Sequence, residues 1–365
     1  MSPPANAPGR TTASGGGFVL GVLVPCRDES AVIVRKLLNL ARADWPRAQR
    51  PHRVVVVDDG SRDGTAALAA QLGPQLSQAG LTLEVAHNDA RPGKPGAIAC
   101  GLRRLAGTVD LVVLTDADVV LEPGALCALT QAFAQAPPLG LACGAQRFVR
   151  ELASDGRARA PDGSPARPAA GLYDRLTARV RRLESRAGRL VSVHGELLAW
   201  RAELALAPTP GFAADDLDLM LQARLAGWRV QLVPAARFLE VKTPSGPPRD
   251  AQALRRARAY LQFLRHPLMV SAAAHGGPLD RLQVWAYHRL PTAAPWLVPL
   301  ALGLLLLACA LLLPTPWALA GALALIAAAA SPVGRRLFDL LAVIRAAGRC
   351  EREAPLADRW ETPRT

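Results

Sequence analysis

Apolar and polar positions along this chain follow two patterns, and the change comes near residue 290. From Phe18 to Leu121, short apolar runs alternate with stretches in which apolar residues recur every third or fourth position. FVLGVLVP (Phe18–Pro25), VVVV (Val54–Val57), LTLEVAHN (Leu81–Asn88) and DLVVLTDADVVL (Asp110–Leu121) predict strands. Four consecutive valines suit a strand buried on both faces, as in a parallel sheet. AVIVRKLLNLARADW, TAALAAQLGPQL and GAIACGLRRLAG predict the helices between them. This alternation predicts an α/β fold, a mostly parallel, doubly wound sheet with helices on both faces.

The next segment, Val149 to Ala170, is polar and rich in Pro, Gly and Arg, and predicts a mobile loop. GLYDRLTARVRRLESRAGRL then reads as a helix with a basic face, and VSVHGELLAWR as strand and turn.

Beyond residue 290 the pattern is continuous. Pro295 to Leu313 is an apolar stretch of about 19 residues, close to the length that crosses a bilayer core, and Ala-rich Trp317 to Val333 adds about 17 more. The uncharged LPTP separates them. Arg281, His288 and Arg289 lie before the pair and Arg335 and Arg336 after it, so the positive-inside rule predicts a transmembrane hairpin with both ends cytoplasmic. A buried helical pair is the other reading, but nothing else in the chain is apolar enough to wrap it. LFDLLAVIRAAGRC has the look of an interfacial helix.

Composition adds compartment and partner. The net charge of +13 comes largely from Arg, as expected for a protein on an anionic membrane or on nucleic acid; the apolar segments favour membrane lipids, and no nucleic-acid partner is expected. The six cysteines form no CxxC pair and no zinc-like cluster, which suits a reducing cytoplasm. Residues 1–16 read as a disordered lead-in without the apolar core of a signal peptide.

The candidate chemistry is acidic. No GxGxxG follows the first strand and no GxxxxGK[ST] occurs, so the dinucleotide and P-loop readings lose their main support. Asp58 and Asp59 stand at the C-terminal end of a strand, the edge where open α/β sheets bind ligands, or else they cap the helix that begins near Thr65. Asp116 and Asp118 flank Ala117 at another strand end, where carboxylates two residues apart can face one ligand and hold a hard divalent ion together with substrate phosphates. Asp215, Asp216 and Asp218 head a helix, a place that also favours acids through the helix dipole. Lys94, between a glycine and a helix, can meet a diphosphate or stand solvated in its loop.

The ordered series PCRDES, VVVVDDGSRDGT, RPGKPGA, LTDADVV, VHGELLAWR and ADDLDLMLQARLAGWRV resembles family-2 glycosyltransferases of the GT-A fold, from Phe18 to about Val241. GLYDRLTARVRRLESRAG is similar to the segment that membrane-bound members place before the acceptor site, and the terminal RWETPR looks like their closing W-x-P-T-R with Thr and Pro exchanged. The resemblance implies an inverting transferase that uses a nucleotide-sugar donor, Mg²⁺ or Mn²⁺, and a lipid, lipid-linked or polysaccharide acceptor. It implies donor contacts at Glu29, Asp59, Lys94 and Asp116, a metal ligand at Asp118 and a general base at Asp216. Asp215, Gln252, Arg255 and Arg256 would be acceptor or diphosphate contacts. AQALRRARAYL has the Gln and Arg of the processive Q-x-x-R-W motif but no Trp, which implies transfer of one or a few sugars; a solvated or lipid-facing basic face is the other reading of these arginines. His194 reads as a satisfied polar loop residue.

The expected organisation is a lead-in (1–16), a GT-A domain (17–241), basic interfacial helices (242–293), two transmembrane helices (294–334) and a cytoplasmic amphipathic tail (335–365), in an inner membrane crossed more than once. A sugar-phosphate nucleotidyltransferase would open with a Gly-rich, Arg-containing phosphate loop, which PCRDES is not. A non-catalytic membrane scaffold or nucleic-acid binder would have let the acidic clusters decay.

Overall fold

The computed structural model describes residues 17–136, 138–188, 190–243, 246–264 and 278–353. The chain divides into two compact units that part between Thr243 and Pro244.

The first unit is built on one eight-stranded sheet. Four parallel strands form one side of it: β1 (Leu20–Cys26), β2 (His52–Asp58), β3 (Leu81–His87) and β4 (Leu111–Thr115), in the order β3-β2-β1-β4. Every residue of β1 and β4 is buried, and so is Val54–Asp58 of β2, because helices cover both faces and leave no place for a polar alternation. The helices are α1 (Ser30–Arg42), α2 (Thr65–Gln71), α3 (Gly73–Gln78), α4 (Lys94–Leu105) and α5 (Ala125–Gln135). Close approach is part of the design: a Cβ on Gly101 of α4 would lie 2.1 Å from Leu23 Cδ1, so only glycine lets α4 settle onto β1.

Strand order reverses at β1. The chain steps outward from β1 to β2 and β3, then returns to the other side of β1 as β4. Such a reversal opens a crevice at the carboxyl ends of the two middle strands.

The sheet continues with β7 (Leu197–Arg201), antiparallel to both β4 and β6 (Leu139–Val149). Next comes β8 (Arg229–Val241), parallel to β6, with the two-residue β5 (Val120–Leu121) antiparallel at its edge. Two further helices, α6 (Leu172–Arg186) and α7 (Asp215–Leu225), complete the unit. Residues Val149 to Ala170, expected as a mobile loop, are irregular but packed. Leu152 joins Val120, Val149 and Leu239 in a small apolar cluster, and Asn39 Nδ2 donates to the Gly156 carbonyl at 2.9 Å.

The second unit is helical: α8 (Pro247–Leu264), α9 (Pro278–Leu312), α10 (Thr315–Ala330) and α11 (Pro332–Glu353). The two apolar stretches fall on α9 and α10, but they differ as spans. Among the described residues α9 alone is long and apolar enough to cross a membrane by itself, over Thr292–Leu312. α10 has 16 residues, a length of about 24 Å against a hydrocarbon core of about 30 Å. It reaches span length only together with α11, from which it is bent by 66°. The expected two crossings are thus not supported: there is one full-length helix, and the Ala-rich second is too short to span alone. They pack together where Gly321 faces Cys309 Sγ. α11 lies against α8, and Arg258 Nε donates to the buried Glu351 Oε1 at 2.9 Å. The terminal RWETPR lies outside the described residues.

Candidate active site

The crevice at β1 is walled by two loops that read as separate motifs in the sequence. Asp28 takes a left-handed backbone (φ +52°), which aspartate tolerates, so that its amide donates to Ser61 Oγ at 2.9 Å and its carboxylate accepts from the Arg62 amide at 2.8 Å. The Glu29 amide donates to Thr65 Oγ1, and the Ser30 amide to Asp63 Oδ2, both at 2.9 Å. The N-cap of α2 is Gly64, and the residue before it, Asp63, accepts from the Thr65 amide at 3.0 Å; neither Asp58 nor Asp59 caps the helix.

The double aspartate divides its work. Asp58 folds back onto its own turn, accepting from the Ser61 amide and hydroxyl, and lies 3.4 Å from His87 Nδ1. Asp59 is buried and reaches across to the β3–α4 connection. It accepts from Asn88 Nδ2 at 2.5 Å and from the Gly93 amide at 2.8 Å, with Arg27 Nη1 3.8 Å away. Glu29 is buried at the head of α1.

At the end of β4, the turn carrying Asp116 and Asp118 is held from behind by α1. Lys36 Nζ donates to Thr115 Oγ1 at 2.7 Å and to the Val119 carbonyl at 3.2 Å; Arg35 Nη2 donates to the Asp118 carbonyl at 3.2 Å. Asn39 pairs with both backbone groups of Leu121. Burial of Lys36 pushes its pKa down to about 7, against the pull of Asp116 and Asp118. No motif in the sequence points to Lys36, but its place in the helical pattern does. It shares the apolar face of α1 with Ile33, Leu37 and Leu40, and a lysine on that face needs a buried partner.

The third wall is the start of α7. Lys94, the first residue of α4, places Nζ 2.8 Å from Asp116 Oδ1 and 3.8 Å from Asp215 Oδ2, so one ammonium joins acids from two distant segments. Burial opposes that charge, but the two carboxylates outweigh it and push the Lys94 pKa up. Burial raises the buried Asp215 carboxyl, with Lys94 opposing. Asp216, half-buried, is raised by burial and then by the charges of Asp215 and Glu196, up to about 7. Asp218 is structural: it accepts from the Thr209 amide at 2.6 Å and from Gln222 Nε2 at 3.1 Å.

Behind Asp216 runs the Ser192–Glu196 loop. Gly195 touches Asp216, since a Cβ there would lie 3.0 Å from its Cβ and 3.2 Å from Oδ2. His194 is buried, stacked edgewise on Phe238 and 3.1 Å from Arg181 Nη1; it is a satisfied loop residue. Glu196, whose backbone carbonyl accepts from Thr115 Oγ1 at 2.9 Å, was not singled out in the sequence and has no periodicity to reveal it.

Asp59, Lys94, Asp116, Asp118, Asp215 and Asp216 therefore belong to the same sheet edge, with Glu29 in the adjoining wall. Gln252, Arg255 and Arg256 belong to α8 in the second unit. Among the described residues no group of three or more His, Cys, Asp or Glu side chains is arranged to hold a metal ion. The half-buried Asp118 carboxylate offers hard oxygen instead, a donor set that fits a divalent ion completing its shell with phosphate oxygens.

The family model of glycosyltransferase like family 2 matches residues 18–260. Among solved structures, the chain is similar to a mannosyltransferase from Pyrobaculum calidifontis in complex with GDP-Man and Mn²⁺. The identity is 26%, the TM-score 0.66, and the match covers 92% of this chain and 87% of that one. Glucosyl-3-phosphoglycerate synthase from Mycobacterium tuberculosis, in complex with Mn²⁺, UDP and glucosyl-3-phosphoglycerate, matches at 19% identity and a TM-score of 0.43, over 68% of this chain and 79% of that one. A search of curated proteins found no match.

Proposed function

The chain belongs to glycosyltransferase family 2, and we propose that it moves one or a few sugars from a nucleotide-diphosphate donor to a lipid or lipid-linked acceptor at the cytoplasmic face of a membrane. The observation that carries the chemistry is the joining of Asp116 and Asp215 by Lys94, with Asp216 beside them, at the crevice where strand order reverses. Displacement at an anomeric carbon needs a hydroxyl relieved of its proton on one side and a leaving diphosphate neutralised on the other. A single displacement inverts configuration.

Asp216 fits the first need. Its carboxylate lies where only a residue without a Cβ leaves it room at position 195, and its proton affinity near neutrality suits a group that must take a proton and give it up again. Asp59 and Glu29 fit the nucleoside end of the donor, in the wall laced together by Asp28, Ser61 and Thr65. Asp116 orients the sugar-nucleotide, and Lys94 supplies fixed positive charge next to it. Asp118, with the diphosphate oxygens, would hold Mg²⁺ or Mn²⁺, which when bound neutralises the leaving group. The GDP-Man and Mn²⁺ of the Pyrobaculum calidifontis mannosyltransferase support this choice of donor class and ion.

The membrane part of the reading is supported by α9, whose most apolar window is only 6% buried, and by the short α10 packed back against it. The absence of Trp after Gln252 and Arg255 supports short transfer over polymer synthesis.

The test is a thermal-shift panel of GDP-, UDP- and dTDP-sugars with and without Mn²⁺. One donor is expected to raise the melting temperature only when the metal is present. If no nucleotide sugar stabilises the protein under either condition, the proposal fails.

A further inference from the structure

Helix α6 carries an outward face that the transfer chemistry does not use. Tyr173, Leu176, Val180 and Leu183 follow one another at spacings of three and four residues, so they form a single stripe. They are 62%, 57%, 42% and 64% exposed, respectively. Beside this stripe, again at spacings of three and four, stand Arg175, Arg179, Arg182 and Arg186, all exposed. The opposite face fastens the helix to the unit. Arg181 Nε donates to Ser192 Oγ at 3.2 Å, and Ser185 Oγ accepts from the Leu232 amide at 2.9 Å. Between α6 and β8 lies a cavity of about 320 Å³ into which Arg182, Arg186 and Arg229 all face.

We propose that α6 rests on an anionic lipid surface, its apolar stripe among the acyl chains and its arginines against the phosphate headgroups. Apolar side chains left in water are costly, and a stripe of four beside a row of guanidinium groups suits the boundary between hydrocarbon and phosphate better than it suits solvent. Charge complementarity selects the occupant. The outward arginines attract anionic headgroups near such a surface, whereas a neutral protein groove would leave them without partners. The cavity beside Arg182 has room for a phosphate that these guanidinium groups can grip with paired hydrogen bonds. This contact is separate from α9 and does not depend on which donor the enzyme uses. Its consequence is local: α6 is tied through Arg181 to Ser192 and His194, and that loop continues through Gly195 to Asp216. The candidate base therefore lies one loop away from the lipid-bound helix.

The test uses the full chain in vesicles, with the photo-crosslinking residue p-benzoylphenylalanine in place of Leu183 or Leu176, and in place of the exposed Gln71 as control. Vesicles of phosphatidylcholine containing about one third phosphatidylglycerol are compared with phosphatidylcholine alone. Lipid adducts are expected at Leu183 and Leu176, severalfold more abundant in the anionic vesicles, and none at Gln71. Arg182→Glu with Arg186→Glu should lower the yield at Leu176 to the level seen in neutral vesicles. Adducts to another segment of this chain or to a second copy, absence of lipid adducts, or equal yields in the two vesicle types would each overturn the proposal.

Discussion

Gly195→Ala tests whether Asp216 is a positioned group or merely a nearby acid. The backbone of Gly195 is outside the left-handed region, so alanine brings no conformational strain and the whole effect is steric. Its new methyl would lie 3.0 Å from Asp216 Cβ and 3.2 Å from Oδ2. Ordinary contacts between carbon atoms are about 3.5–4.0 Å, so the Asp216 side chain must give by a few tenths of an ångström. A misplacement of about 1 Å can cost a hundredfold in rate; about 0.4 Å corresponds on that scale to roughly sixfold, or about 1 kcal/mol of activation free energy. The wall proposed to bind the donor includes Asp28, Asp59, Ser61 and Asn88, whereas the three atoms nearest the methyl all belong to Asp216, so donor affinity should hold. The assay is the initial rate of sugar transfer at saturating donor, with donor affinity from thermal shift and a melting curve to establish folding. A folded variant with unchanged donor affinity and a transfer rate within about twofold of the parent would refute the positioning argument.

Three further outcomes are expected. Asp216→Asn should leave donor binding nearly intact while transfer falls a hundredfold or more; Asp215→Asn should be milder, since its carboxylate faces Lys94, and the reverse order in transfer assays would move the base by one residue. Because the Asp216 carboxyl is pushed up to about 7 and a base must be ionised to act, the rate at saturating donor should fall as pH drops below about 7, approaching tenfold per unit; a pH–rate profile level down to about pH 5.5 would contradict this. Asp118→Asn should abolish the Mn²⁺-dependent part of donor binding, because the amide keeps the shape but loses the charge; titration calorimetry with Mn²⁺ that shows parent-like donor affinity would remove Asp118 from the ligand set.

Much of the catalytic unit could be read before folding, because its parallel strands carry their own signature. Val54–Val57 and Leu111–Leu114 are buried on both faces, and an unbroken β-branched or aliphatic run reports that directly. The acids at the strand ends were legible for the same reason: where a fully buried run stops, the first carboxylates must face the crevice. Side-chain partnerships across the fold were not legible. Nothing in VVVVDDGS separates Asp58, which serves its own turn, from Asp59, which reaches to Gly93 some 34 positions away. Lys94 read as a loop residue awaiting a ligand, and its two acidic partners come from segments distant in sequence. In Val149–Ala170 the polar composition outweighed the few apolar anchors, such as Leu152, that pack it. The second apolar stretch runs about 17 residues in the sequence, whereas Pro314 and Pro332 bound the helix and keep it to 16.

The grip of α1 on the Asp116–Asp118 turn bears on how this site can be moved or redesigned. Lys36, Asn39 and Arg35 hold backbone groups from Asp118 to Leu121, and Lys36 also holds the Thr115 hydroxyl at the end of β4. The shape of the turn is therefore enforced from a neighbouring helix, largely through its backbone. A chimera that grafts only the LTDADVV strand end into another sheet would carry the carboxylates and lose their aim. Strand β4, helix α1 and the β5 edge form the smallest portable cassette, and recombination breakpoints placed between Ser30 and Arg42 should yield folded proteins that have lost donor binding.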